Sequence, residues 1–216
     1  MKTSDIKSKN IKDSFSKQLE SDSFFLLIKP NDQFYTNDRH RQFIEKQIEK
    51  LIQAGFINLE VCWSDNDHWL DYVSKLKDKF PKLNLGSASI INKKSIDDSI
   101  KIGLNYSMMK GWDRDLLNYS NSKNHLLIPG IKYLKDLEQA IDLNCKIIKV
   151  FPVRENTELT NISQYKNIDF IAAGGLSISD ITLYKSLGYK AIVIGDKGFN
   201  NNVIDPNIFK WLKETS

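Results

Sequence analysis

The chain has 216 residues, of which 41% are hydrophobic, 27% charged and 11% aromatic, with 31 basic residues against 27 acidic ones. That apolar fraction, with a net charge of only +4, excludes a disordered chain, and no apolar run reaches the length of about 18 residues that a transmembrane helix needs. The first twenty residues lack the apolar core of a signal peptide, and two cysteines, Cys62 and Cys145, are too few for a disulfide scaffold, so a soluble cytoplasmic protein is expected.

An N-terminal helix is expected over roughly Ser4 to Glu20. Eight units follow, each a short apolar run and then a longer amphipathic one. Strand Phe24–Ile28 leads to helix Asp38–Ala54, Ile57–Cys62 to Asp67–Lys79, Leu83–Leu85 to Ser95–Ile102, and Asn105–Met108 to Asp113–Ser120. Strand Leu126–Ile128 leads to helix Leu134–Leu143, Ile147–Phe151 to Ile162–Tyr165, Phe170–Ala172 to Ser177–Leu187, and Ala191–Ile194 to Asn207–Lys213. Asp67, Ser95 and Ser177 serve as helix starts, and Gly55, Gly103 and Gly188 as stops.

The phrase helix, then Ala/Leu/Ile-x-Gly, then strand recurs in QAGFINLEV, KIGLNYSMM and KSLGYKAIVIG. Such regularity predicts an α/β fold, a (β/α)8 TIM barrel with an extra N-terminal helix. One barrel domain would take up residues 1–216, with 1–23 as the helical extension. A doubly wound open sheet is the alternative, but no GxGxxG follows the first strand. Lysine and arginine are interleaved with aspartate and glutamate, as in RHRQFIEKQIEK and KLKDKFPK. These runs read as solvated helix faces, so neither nucleic acid nor membrane is an expected partner despite a pI near 8.8.

In such a barrel the active site lies at the C-terminal ends of the strands. Lys149 interrupts the apolar run IIKVF, and a barrel strand is covered on both faces, so its amine cannot easily reach water. Burial lowers an amine's pKa and leaves a nucleophile near neutral pH, which Schiff-base chemistry with a carbonyl substrate requires. The competing reading is a strand-end lysine snorkelling to the rim. Glu60 stands inside INLEVCW, where a carboxylate needs a partner. A nearby amine makes it either a proton shuttle or one half of a structural ion pair.

Lys29 directly follows the first strand. Gly174-Gly175 and Gly195 form turns after strands seven and eight, where bare amides commonly meet a phosphate, although glycine turns also simply close such loops. His40, His68 and His125 have no metal-ligand spacing, so neither a metal nor a cofactor is expected. Trp63 and Trp112 follow strands two and four, and either pocket lining or packing explains them.

INLEVCW, LGSASI, LLIPGI, IIKVFPV and IAAGGLS, in that order, resemble the family of 2-keto-3-deoxy-6-phosphogluconate (KDPG) and 4-hydroxy-2-oxoglutarate (KHG) aldolases. The resemblance runs from about Phe24 to the end, and the IPG and KVFP blocks are its most specific parts. It implies a metal-independent class I aldolase, commonly a homotrimer, that cleaves a keto acid or sugar acid phosphate to pyruvate and an aldehyde. By motif, Lys149 resembles the Schiff-base lysine and Glu60 the general acid/base. Ser89 stands where the family commonly has a threonine on the substrate carboxylate. Pro129, Gly130 and Pro152 match pocket-shaping positions, and Gly174, Gly175 and Gly195 match the phosphate loops.

The departures concern substrate binding. Ser64 stands where an arginine usually ends the strand-two motif, and Ala173 replaces the threonine before the double glycine. Met109-Lys110-Gly111 replaces Ser-Pro-Gly, while Asp196 and Lys197 replace Gly and Ser. Lys29, Lys110 or Lys197 would have to supply the missing charge. A relative that binds such ligands without turnover, and an isomerase or epimerase using Glu60 alone, are the rival readings.

Overall fold

The structure, a computed structural model, describes residues 13–156, 158–200 and 203–215. Residues 4–12 of the expected N-terminal helix lie outside them. A helix α1 spans 13–21. Strand β1 (Phe24–Ile28) is followed by a short helix α2 (Asp32–Thr36) and α3 (Asp38–Gln53), β2 (Asn58–Cys62) by α4 (His68–Lys79), β3 (Asn84–Ile90) by α5 (Lys93–Ile102), and β4 (Tyr106–Met109) by α6 (Arg114–Ser122). Next come β5 (Leu127–Ile128), β6 (Gly130–Ile131), α7 (Leu134–Asp142), β7 (Ile147–Val150), β8 (Asp169–Ala173) and α8 (Ile181–Ser186). The chain ends with β9 (Ala191–Ile194), a hairpin of β10 (Phe199–Asn200) and β11 (Val203–Ile204), and α9 (Pro206–Thr215).

The main sheet is parallel throughout and runs in the order β5-β4-β3-β2-β1-β9-β8-β7-β6. Its two terminal strands are neighbours in sequence, separated only by Pro129. Proline has no amide proton for the ladder, so it splits one stave in two. The Pro129 carbonyl still accepts from the Lys149 amide at 2.9 Å, which ties the split stave to β7. Counted that way the strands form the expected eight-stave barrel, with the fifth stave broken.

Strand alternation divides the core into two layers. Phe25, Tyr106, Met108, Ile128, Ile147, Ile171, Ala191 and Val193 fill the barrel, with Phe15 and Leu19 of α1 as its floor. Leu26, Leu59, Val61, Ile148, Val150, Phe170 and Ile192 face outward and pack under the helices. Ile44, Ile48 and Leu51 of α3 recur at helical spacing and form the stripe that meets that layer. Burying a side chain of this size contributes about 1.5–3 kcal/mol. Amide side chains stitch α1 to the sheet: Gln18 donates to Asn58 at 2.6 Å, Asn58 to Asp22 at 2.7 Å, Asn84 to Asn58 at 2.9 Å and Asn105 to Asn84 at 2.9 Å.

Several local expectations are corrected. No helix forms over Ile162–Tyr165; the Asn161 side chain accepts from the Ser163 amide at 3.1 Å, a local turn that competes with helix. Asp67 makes no capping hydrogen bond, and Asn92, not Ser95, caps α5; Ser95 completes a reciprocal capping box. A 3-10 turn, Ile178–Asp180, precedes α8. Gly55, Gly103 and Gly188 do adopt the left-handed conformations expected of helix stops.

Candidate active site

A cavity of about 380 Å³ opens at the C-terminal ends of the strands. Lys149 and Glu60 lie at its base, Ser89 on one wall, and Gly174, Gly175, Gly195, Lys29 and Lys197 around its mouth. Lys110 and Asp196 also line it, as does Cys62. The sequence-derived candidates therefore converge, with three exceptions. Pro129 and Gly130 belong to the split stave, where Gly130 leaves room for the Met109 carbonyl, and Pro152 presses on the Gly174 turn from behind.

Lys149 is 6% exposed and Glu60 is 1% exposed. Each points inward because its alternation set does: Ile147 on β7 joins the inner cluster, while Leu59 and Val61 flank Glu60 on the outer face of β2. Burial pushes the Glu60 carboxyl up to about 7, opposed by the Lys149 charge and the neighbouring Tyr106 hydroxyl. Burial likewise pulls the Lys149 amine down to about 8, opposed by Glu60 and Cys62. The Lys149 Nζ lies 5.7 Å from the centre of the Phe151 ring. Burial thus disfavours the charged form of both groups near neutral pH, while their mutual attraction opposes it.

Ser89 reaches the cavity through a local irregularity. The β3–β4 register shifts between Ser87 and Ile90, and Ser89 takes a φ of 61°. A non-glycine residue in that region costs about 1–2 kcal/mol, so the packing of the neighbouring strands holds it there.

Gly174 and Gly175, at φ 118° and 67°, turn the chain after β8. Asp180 secures that turn by accepting from the Ser177 amide at 2.7 Å, and Arg154 grips Asp180 at 2.9 and 3.0 Å. At the mouth, Lys29 Nζ meets Asp196 at 2.8 Å, so one of the three lysines there is already paired. Ser64 is not a lining residue; its Oγ accepts from the Asn66 amide at 3.2 Å. Trp63 is buried and donates to Asp98 at 3.0 Å, which makes it packing, whereas Trp112 borders a separate groove.

Tyr106 is the residue that sequence reasoning missed. It sits inside the barrel with its hydroxyl near Glu60, yet a tyrosine in an apolar strand reads as core filling. Its only sequence signal is indirect, a glycine on the adjacent strand at Gly86.

The sequence profile of the family described as KDPG and KHG aldolase matches residues 36–212. The chain belongs to that family. A 2-dehydro-3-deoxy-phosphogluconate aldolase of Pseudoalteromonas atlantica is 27% identical over 141 residues, an alignment covering 63% of this chain and 65% of that enzyme. Two solved KDPG aldolases share the fold. The Legionella pneumophila enzyme, with pyruvate captured as a covalent carbinolamine, superposes with a TM-score of 0.73 at 18% identity over 91% of this chain and 93% of its own. The Zymomonas mobilis enzyme, with 3-phosphoglycerate, gives 0.75 at 19% identity over 93% and 94%. In this member of the family the cavity has a buried lysine and glutamate at its base and Asp196 and Lys197 at its mouth.

Proposed function

We propose that the protein is a class I aldolase that cleaves a 2-keto-3-deoxy sugar acid or its phosphate, or 4-hydroxy-2-oxoglutarate, to pyruvate and an aldehyde. The observation that carries this reading is the buried Lys149–Glu60 pair at the base of the cavity, with the amine lowered and the carboxyl raised toward the same pH. Family membership supports the reaction class, and the pyruvate carbinolamine of the Legionella enzyme supports the covalent route.

In the proposed sequence Lys149 passes a proton to Glu60 and its neutral amine attacks the substrate C2 carbonyl. The carbinolamine leaves water as Glu60 returns the proton to the departing hydroxyl, forming an iminium. Glu60, now a carboxylate, takes the C4 hydroxyl proton while the C3–C4 bond breaks and its electrons flow into the iminium. The aldehyde departs and an enamine remains. Protonation at C3 and hydrolysis release pyruvate and restore the lysine. In this reading Ser89 donates to the keto acid's carboxylate, and the far end of the substrate is bound by the glycine turns at Gly174, Gly175 and Gly195 with Lys110 and Lys197, all of which line the cavity.

A role in Entner–Doudoroff carbohydrate metabolism, homotrimeric assembly and a cytoplasmic setting follow from the family resemblance and belong to this proposal. A non-catalytic ligand binder has no use for a lowered amine, and a Glu60-only epimerase leaves Lys149 unexplained. The test is reductive trapping: pyruvate with borohydride should add one reduced pyruvyl group, and peptide mass mapping should place it on Lys149. Modification of another residue, or none under conditions that trap a known class I aldolase, refutes the proposal.

A further inference from the structure

Glu60, Gly86 and Tyr106 stand side by side on three adjacent strands. Glu60 pairs with Gly86 across β2 and β3, and Gly86 pairs with Tyr106 across β3 and β4. The middle position has no side chain, and the Tyr106 ring takes that space: a Cβ at Gly86 would fall under 3.0 Å from Cζ, Cε1 and Cε2. Cζ carries the hydroxyl, so the ring lies across Gly86 with its phenolic end toward the Glu60 strand. Phe15 and Phe25 hold it there edge-on, at centroid distances of 4.8 and 5.8 Å.

The Tyr106 hydroxyl and Glu60 Oε1 are both buried, and neither has a hydrogen-bond partner among the described residues. A buried donor and a buried acceptor left open next to each other need only a small rotation to satisfy one another. A phenol can donate to a carboxylate, and a carboxylate can only accept.

We propose that Tyr106 is a positioning residue whose hydroxyl donates to Glu60 Oε1, fixing the carboxylate plane and leaving Oε2 free to exchange protons with Lys149 and the substrate. The inference rests on the acid/base role given to Glu60 above. The ionisable groups facing Glu60 are Lys149 from β7, Cys62 from its own strand and Tyr106 from β4. Of these Tyr106 is the only one at the same level through Gly86. Its donation stabilises the ionised carboxylate and so opposes the effect of burial.

The test follows the Glu60 carboxyl directly, in ligand-free full-length protein labelled with 13Cδ-glutamate, its signal assigned by loss in Glu60→Gln. In Tyr106→Phe the titration midpoint should rise, with the acid constant falling about threefold to tenfold, the worth of one hydrogen bond. A 3-fluorotyrosine at position 106, a stronger donor differing by one atom, should lower the midpoint. It decides the matter if the phenylalanine variant does not fold. An unmoved midpoint in the variant that folds overturns the proposal. Borohydride trapping on the same samples reports separately on the aldolase reading. A moved midpoint without trapped pyruvate keeps the Tyr106–Glu60 bond and removes the Schiff base.

Discussion

Replacing Glu60 and Lys149 together, as Glu60→Gln/Lys149→Met, removes two ionisable groups that folding takes out of water. Glu60 rises from 4.5 to about 7, and this opposes folding at any pH above its folded value. Lys149 falls from 10.5 to about 8, and this opposes folding at any pH below its folded value. At pH 7.5 both effects act, each about 3 kcal/mol at roughly 1.4 kcal/mol per pH unit. Replacements of buried ion pairs by uncharged residues of similar volume recover about 1–4 kcal/mol, because lost hydrogen bonds and repacking consume part of the gain. We expect the double variant to be about 2–4 kcal/mol more stable, a rise in Tm of roughly 5–15 °C for a chain of this size. Each single variant should gain less, since it leaves the other group without its opposite charge. Calorimetry at pH 7.5 measures this directly. A double variant that melts at or below the parent temperature would refute the account of the pair as a destabilised reactive centre.

Three further outcomes follow from other parts of the molecule. Asp196→Asn should lower KM for a phosphorylated substrate severalfold, by freeing Lys29 and removing a negative charge from the mouth; Tm should hardly move, because exposed ion pairs contribute at most about 1 kcal/mol. An unchanged KM would place the phosphate elsewhere. Burial lowers His125 to about 4, and its Nε2 lies 2.7 Å from the Ser107 hydroxyl. The unfolded chain takes up that proton first, so folding should lose about 3 kcal/mol as pH falls from 6.5 toward 4. His125→Gln should melt with a shallower acid dependence over that window, as scanning calorimetry at several pH values would show. Gly86→Ala should cost about 1–3 kcal/mol in a urea titration by forcing the Tyr106 ring aside; an unchanged midpoint would show that the ring has room to move.

Much of this architecture is legible in the sequence because each stave combines an apolar alternation with a following amphipathic helix. Lys149 and Glu60 stand out for the same reason: a charge inside a run such as IIKVF has no bland place to go. What escapes is whatever depends on cross-strand register. Tyr106 gains its meaning only from the glycine beside it and the carboxylate one strand further on. Ser89's orientation depends on a register shift that no local pattern announces. The short helix α2 forms where Phe34 packs edge-on against Tyr72 of α4 at 4.9 Å, a contact between distant segments that overrides the weak propensity of five residues. Ser64 shows the reverse limit: a family motif locates it near the mouth, while its side chain is used in closing a turn.

The split at Pro129 gives the barrel a seam. The other staves are each a single strand, but the fifth offers two residues on each side of a residue that donates nothing, and the Lys149 amide is bonded to its carbonyl. Opening a stave is easiest where the fewest bonds must break together, so amide protons of Leu127–Ile131 should exchange with solvent sooner than those of β2 or β8. The wall beside Lys149 is thus expected to open before its neighbours, and exchange there no faster than in β2 or β8 would refute this.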